Sequence, residues 1–169
     1  KYAYLMSNLT ATVIASDKYR NYSAITIPGT VTIDGVDYRV TEIGANAFNE
    51  CYNLNNVTIE YGVETIGNYA FQNCYNADFG QLPSSLRAIG DYAFRWCNRF
   101  NGLLPEGLLT IGKWAFGSCY YMQKVVLPST LTSIDEYAFR DNSNLATVTS
   151  HISRPFAINN NVFGSESKW

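Results

Sequence analysis

The chain has 169 residues, of which 47% are hydrophobic, 15% aromatic and only 15% charged, with a formal net charge of −2 and a single histidine. With a pI near 5.3 and no run of like charges, it lacks the basic field that nucleic acid or an anionic membrane demands. No apolar stretch reaches the length of a bilayer span.

In chain order, Thr10 to Ala15 reads as a first strand. Ala24-Ile25-Thr26-Ile27 reads as a second, closed by Pro28, whose missing N–H and fixed φ end a ladder. Between Val31 and Tyr38 apolar and polar residues alternate around Asp34-Gly35, which predicts a hairpin. Ile27 and Ile43 are 16 residues apart, whereas the later equivalents Ile59 and Ile66 are 7 apart, so the hairpin is an insertion. Residues 1–42 are therefore expected to form an N-terminal cap with a partial first repeat.

From Ile43 one phrase recurs: Ile-Gly-x-x-Ala-Phe, with isoleucines at 43, 66, 89, 111 and 134, every 22 or 23 residues. That period lies within the roughly 20–29 residues of leucine-rich repeats and predicts a solenoid. Each unit then has Cys (Cys51, Cys74, Cys97, Cys119), an x-x-Leu-x-x-Val-x-Ile segment as in Leu54, Val57 and Ile59, and often a proline (Pro83, Pro105, Pro128). The Val-x-Ile alternation is a short strand with two side chains in and one out. Gly44, Gly67, Gly90 and Gly112 are expected at a bend, with Asp135 substituting in the same backbone region. The Ala-Phe stretch is expected as a single helical or 3-10 turn, with Phe filling the interior. A lone coil cannot cover its Phe, Leu and Ile side chains, so the core exists only when coils stack.

The expected architecture is one continuous domain: the cap at 1–42, five repeats over 43–157, and a truncated sixth repeat over 158–169, starting at Ile158 with Val162-Phe163. An open solenoid end exposes strand groups and core side chains, so the natural chain is expected to continue past Trp169. A start at Lys1, without Met or signal peptide, suggests trimming at both ends.

The four cysteines occupy one position in successive coils. Parallel side chains stacked about 4.8 Å apart do not bring Cβ atoms to the ~3.8 Å of a disulfide, so buried reduced thiols are expected. Zinc wants paired ligands two to four residues apart, which this spacing does not supply. Asn142 stands where a fifth cysteine would be. For catalysis, His151 comes without a Gly-x-Ser-x-Gly or phosphate-loop pattern, and Asp37, Glu42, Glu60, Asp91 and Glu136 are scattered. No enzyme, cofactor or metal is expected, and His151 reads as an exposed loop residue.

Two columns are candidate contact surfaces. The outward strand positions Thr58, Gln81, Val126 and Thr149, joined by Asn56, Phe79, Lys124 and Thr147 two residues earlier, would form the concave face that such solenoids use to bind proteins. Because Gly80 stands in place of a strand valine, Phe79 either joins this row or turns inward to fill the missing volume. The second column precedes each Ala-Phe: Tyr69, Tyr92, Trp114 and Tyr137, between Asn46 and Asn161. It is either a platform for sugar rings or coil-to-coil stacking worth ~0.5–1.5 kcal/mol per pair, and stacking is favoured. Asn8, Asn21 and Asn56 begin glycosylation sequons.

The phrase Ile-Gly-x-x-Ala-Phe-x-x-Cys-x-x-Leu-x-x-Val-x-Ile-Pro resembles the BspA-like leucine-rich repeat family of surface and secreted proteins from Bacteroides-type bacteria and some mucosal protists. The resemblance runs from about Ile25 to Phe163 and includes the usual first repeat, around Asp34-Gly35 and Tyr38 to Ile43. It implies a right-handed solenoid with an N-terminal β-hairpin cap. It also implies a secreted or cell-surface adhesin segment that binds an extracellular or cell-surface protein, such as a host matrix or bacterial surface protein. The family carries no fixed binding motif, so no functional residue transfers with it. A carbohydrate-binding surface or a spacer without its own ligand are the alternatives.

Overall fold

The computed structural model describes residues 2–164; of the truncated sixth repeat, 165–169 lie outside the described residues. Strand β1 (Ala3–Ser7) forms an antiparallel hairpin with β2 (Thr10–Ile14), and β2 lies parallel to β5 (Val36–Ile43). Strand β4 (Thr30–Ile33) pairs antiparallel with β5, Ile33 opposite Val36. Asp34 and Gly35 are then a two-residue loop, and their φ values of 52° and 78° are those a type I′ hairpin turn requires.

From β5 the sheet runs on in parallel through β7 (Thr65–Ile66), β8 (Ala88–Ile89), β9 (Thr110–Ile111) and β11 (Ser133–Ile134). The recurring isoleucines sit side by side in it, so the period seen in the sequence is the sheet register. The Val-x-Ile segments form a second ladder that is interrupted. Strand β3 (Ala24–Ile27) pairs with β6 (Asn56–Ile59), and β10 (Lys124–Leu127) pairs with β12 (Thr147–Ser150). The two coils between contribute only the isolated bridges of Asn56 with Asp78 and of Leu103 with Val126. Glycines break the strand there: Gly80 has φ +52°, and Gly102 has φ +76° with its Cα so close to the Lys124 carbonyl that a Cβ would collide with it.

The Ala-Phe stretches are not helical turns; among the described residues the one helix is a 3-10 turn at Asp17–Asn21. Instead, alternate amides point in two directions. Ala47, Asn49 and Cys51 donate back three residues, to Gly44, Asn46 and Phe48, closing β-turns. Asn46, Phe48 and Glu50 donate to Asn68, Ala70 and Gln72 of the next coil. A helix would direct every amide along its own chain, whereas stacking coils need half of them for the neighbour. The pattern forces positive φ at the third position of two turns per coil, as at Tyr69 (60°) and Asn73 (66°). The recurring glycine, and Asp135 in its place, opens the first of these turns at the expected bend, but without a positive φ. A Cβ on Gly112 would come within 2.7 Å of Asp91 N and of Gly90 C in the preceding coil, so the glycine permits close coil approach.

Inside, Phe48, Phe71, Phe94, Phe116, Phe139 and Phe163 stack ring on ring, with centroids 5.1 to 5.5 Å apart and planes within 14°. At the N-terminal end Tyr19, from the 3-10 turn, stacks on Phe48 at 4.7 Å and 28°. Its hydroxyl accepts the Ala3 N–H at 2.6 Å, which ties β1 over the end of the column.

Candidate binding surfaces

The strand face is assembled from both halves of the interrupted ladder. Asn56 and Thr58 are exposed on β6, and Asn56 lies level with Asp78 of the next coil. On the other half, Lys124 sits beside Thr147 and Val126 beside Thr149, with Leu103 continuing the Val126 row. Gln81, Lys124, Thr147 and Thr149 are exposed and Val126 is half-buried.

Phe79 does not belong to this face: it is 2% exposed. Pairing of Asn56 with Asp78 slips the second coil by one residue, so that Phe79 rather than Gly80 lies level with inward Val57. Its ring stands edge-on to Phe71 (5.0 Å, 75°) and Phe94 (4.9 Å, 89°), with Phe100 at 6.2 Å. Phe79 and Phe100 together fill the volume that inward strand side chains leave empty at two glycine-containing coils.

The second column stacks along the solenoid. Tyr69 lies on Tyr92 at 4.9 Å and 5°, Tyr92 on Trp114 at 6.5 Å and 9°, and Trp114 on Tyr137 at 5.4 Å and 36°. All four have φ between 56° and 61°, the left-handed region that costs a bulky residue of order 1–3 kcal/mol. Ring stacking and the inter-coil bonds of the same residues offset that cost. The Arg95 guanidinium lies 4.0 Å from the Trp96 ring centroid and 4.6 Å from that of Trp114, and Arg140 lies 4.7 Å from Tyr137. Internal ring faces are thus covered by one another and by arginine, leaving edges to solvent. A sugar needs a face, so the geometry supports coil-to-coil stacking.

Another aromatic column escaped the repeat reading. The residue after the cysteine is Tyr52, Tyr75, Asn98 and Tyr120 in successive coils; the three tyrosines are exposed, as is Tyr121, and Tyr52 stacks on Tyr75 at 5.6 Å and 8°. The signal was available in the constant offset from cysteine. Also exposed is Tyr61, at the mouth of a groove of about 460 Å³ lined by residues that follow the strands of three coils, among them Gln81, Pro83, Leu103 and Glu106.

All four cysteines are free and buried. Burial pushes the Cys51 thiol up to about 11 and the Cys119 thiol up to about 12, and raises Cys74 and Cys97 too, so the sulfurs stay protonated and are poor nucleophiles. Each of the last three thiols donates to a phenylalanine carbonyl of the preceding coil: Cys74 to Phe48 at 3.2 Å, Cys97 to Phe71 at 3.1 Å and Cys119 to Phe94 at 3.2 Å. Among the described residues, no group of three or more His, Cys, Asp or Glu could hold a metal ion, and no helix is long and apolar enough to cross a membrane. His151 is exposed.

A family model described as BspA type leucine rich repeat region matches residues 40–168 in six copies. No curated protein matches the chain. Among solved structures, a leucine rich repeat protein of T. pallidum is 30% identical with a TM-score of 0.77, over 87% of this chain and 67% of that one. A leucine-rich repeat protein from Bacteroides ovatus is 30% identical with a TM-score of 0.78, over 88% of this chain but only 39% of its own length. A leucine rich cell surface protein from Faecalibacterium prausnitzii, 23% identical with a TM-score of 0.60 over 95% of this chain and 55% of that one, shares the fold.

Proposed function

The chain belongs to the BspA-type leucine-rich repeat family, and on that premise we propose that it is a non-catalytic protein-binding module of a secreted or cell-surface protein. An adhesin-type role toward a host matrix or bacterial surface protein is the form of that reading the family resemblance favours. The observation that carries it is the strand face. Asn56 and Thr58 are exposed on one part of the interrupted ladder and Lys124, Thr147 and Thr149 on the other, with Leu103 paired to Val126 there and Gln81 exposed in a coil between. Mixed polar and apolar side chains on rigid strands make a protein-binding surface whose rotamer and loop ordering costs are low. Tyr52, Tyr75, Tyr120 and Tyr121 add the residue type enriched at interface centres.

The test is a panel of immobilised matrix, plasma and bacterial surface proteins, run beside a glycan array with the same protein. Saturable capture of a protein with a silent glycan array supports the reading. Glycan binding without protein capture overturns it in favour of the carbohydrate alternative.

A further inference from the structure

The groove of about 460 Å³ sits where the Val-x-Ile ladder is interrupted. Its lining is mixed, with apolar Pro83, Leu103 and Pro105 and polar Gln81, Ser84 and Glu106 from two coils, and Tyr61, 75% exposed, from a third. The Asn101 side chain bridges the break, donating to the Gly80 carbonyl at 2.7 Å, while a Cβ placed on Gly80, beside lining residue Gln81, would meet no atom within 4 Å. On the β6 side, the Val57 N–H is bonded to the Asp78 carbonyl, but the Gly80 N–H that would continue the ladder goes instead to the Asp78 carboxylate at 2.9 Å.

Three carboxylates belong to the segments that carry the groove, Glu106 in its lining and Glu60 and Asp78 outside it, and each is held by neutral donors. Asp78 accepts from Gly80 N, Glu60 accepts from Gly29 N at 3.1 Å, and Glu106, which lines the groove, accepts from Ser129 N at 3.3 Å and Ser129 Oγ at 2.9 Å. Among the described residues, the ion pairs within 4.0 Å are Arg20 with Glu50, Lys113 with Glu136 and Arg140 with Asp141, and none involves these three. Arg87, whose guanidinium packs against Gly107 next to Glu106, gives its N–H groups to the carbonyls of Ser84 and Leu86. The carboxylates are thus held in place without an ion pair within 4.0 Å among the described residues, on segments beside a groove with an open tyrosine ring.

We propose that this groove is the recognition site for an extended, cationic peptide segment of a protein partner, one that seats an apolar side chain between Leu103 and the prolines and sets a lysine or arginine against Tyr61 and the carboxylates. The inference rests on the protein-binding reading and specifies the partner's chemistry. Charge complementarity selects the cation, because the lining offers the Glu106 carboxylate and the Tyr61 ring, with Glu60 and Asp78 on the adjoining segments. The groove's apolar lining residues select the neighbouring side chain, and the broken ladder leaves room for an extended backbone.

The experiment is a selection of random displayed peptides on the full chain, followed by fluorescence anisotropy with the recovered peptides. Expected are peptides with Lys or Arg next to an apolar residue, whose affinity falls about tenfold in a Glu60→Gln, Asp78→Asn, Glu106→Gln variant and similarly in Tyr61→Ala, and weakens with added salt. The neutral replacements each keep one acceptor oxygen, so Gly29 and Gly80 retain their bonds and Ser129 retains one of its two, and circular dichroism of the variant checks that the fold is preserved. Enrichment without cationic residues, no enrichment at all, or affinity unchanged in these variants overturns the groove assignment. In each of those cases the broader protein-binding reading is judged separately, by the immobilised-protein panel.

Discussion

Asn142 and Cys119 perform the same task one coil apart: Asn142 Nδ2 donates to the Phe116 carbonyl at 2.9 Å, as Cys119 Sγ donates to the Phe94 carbonyl at 3.2 Å. The position selects a small donor that reaches back to the preceding coil rather than sulfur for its redox chemistry. A thiol does this in the buried coils with little polar surface to desolvate. At the half-buried last site an amide serves, adding a second bond to Phe139 O at 2.7 Å. The cysteines should therefore be reduced and inaccessible: four thiols react with a thiol reagent in denaturant, as the four free cysteines require, and almost none in native protein. Two or fewer after denaturation without reductant would show that disulfides form.

The same thiols predict alkaline instability. Their unfolded value is 9.0, and burial raises all four in the folded chain, Cys119 to about 12. Above pH 9 the unfolded chain loses thiol protons that the folded chain keeps. The unfolded state then binds fewer protons, so stability is full below that pH and is lost as pH rises through the folded values. Each fully buried thiol contributes a slope of up to about 1.4 kcal/mol per pH unit. Denaturant midpoints measured from about pH 8 to pH 11 should fall more steeply for the native sequence than for Cys97→Ala with Cys119→Ala; parallel profiles would refute the account.

Stability should follow position in the phenylalanine column. Phe94 has ring neighbours on both sides, at 5.5 Å and 5.2 Å, and is fully buried. Phe94→Ala should cost about 3–5 kcal/mol in urea unfolding. Phe163 is half-buried and stacks on Phe139, so Phe163→Ala should cost distinctly less. Equal losses would mean that the last described coil is packed as firmly as the middle.

That column was legible because a phenylalanine every 22 to 24 residues leaves one reading only: a ring per coil, in register. The direction of Phe79 was not, because it depends on a one-residue slip between Asn56 and Asp78 that spacing from Cys74 does not reveal. Nor was the left-handed backbone at Tyr69, Tyr92, Trp114 and Tyr137, since single-residue preference argues against it. Inter-coil hydrogen bonds impose it, and those bonds exist only in the stack. Tyr19 was hidden for a related reason: it closes the column from a non-repeating segment.

The stacked row makes an energetic prediction of its own. A double-mutant cycle on Tyr69 and Tyr92, replacing each by Leu and then both by Leu, should give a coupling of about 0.5–1.5 kcal/mol, because their rings lie 4.9 Å apart and nearly parallel. Additive losses would mean that the rings merely cover the coils beneath them.

The last prediction separates the two surfaces by function. Gln81, Lys124 and Thr149 are exposed and have no hydrogen-bonded or ionic side-chain partner among the described residues, so Gln81→Lys, Lys124→Glu and Thr149→Arg should change stability by no more than about 0.5 kcal/mol each. If the strand face is the contact surface, this triple variant loses protein capture while its thermal unfolding stays put. Tyr92→Ala with Trp114→Ala removes stacking, and Trp114 also lies against Arg95 and Arg140, so that variant should unfold earlier yet still capture the partner below its transition. The contrast is informative because the two perturbations fall on opposite sides of the ledger, one on binding and one on stability. Capture lost by the aromatic variant and kept by the strand variant, both measured while folded by circular dichroism, would move the contact surface from the strands to the tyrosine and tryptophan row.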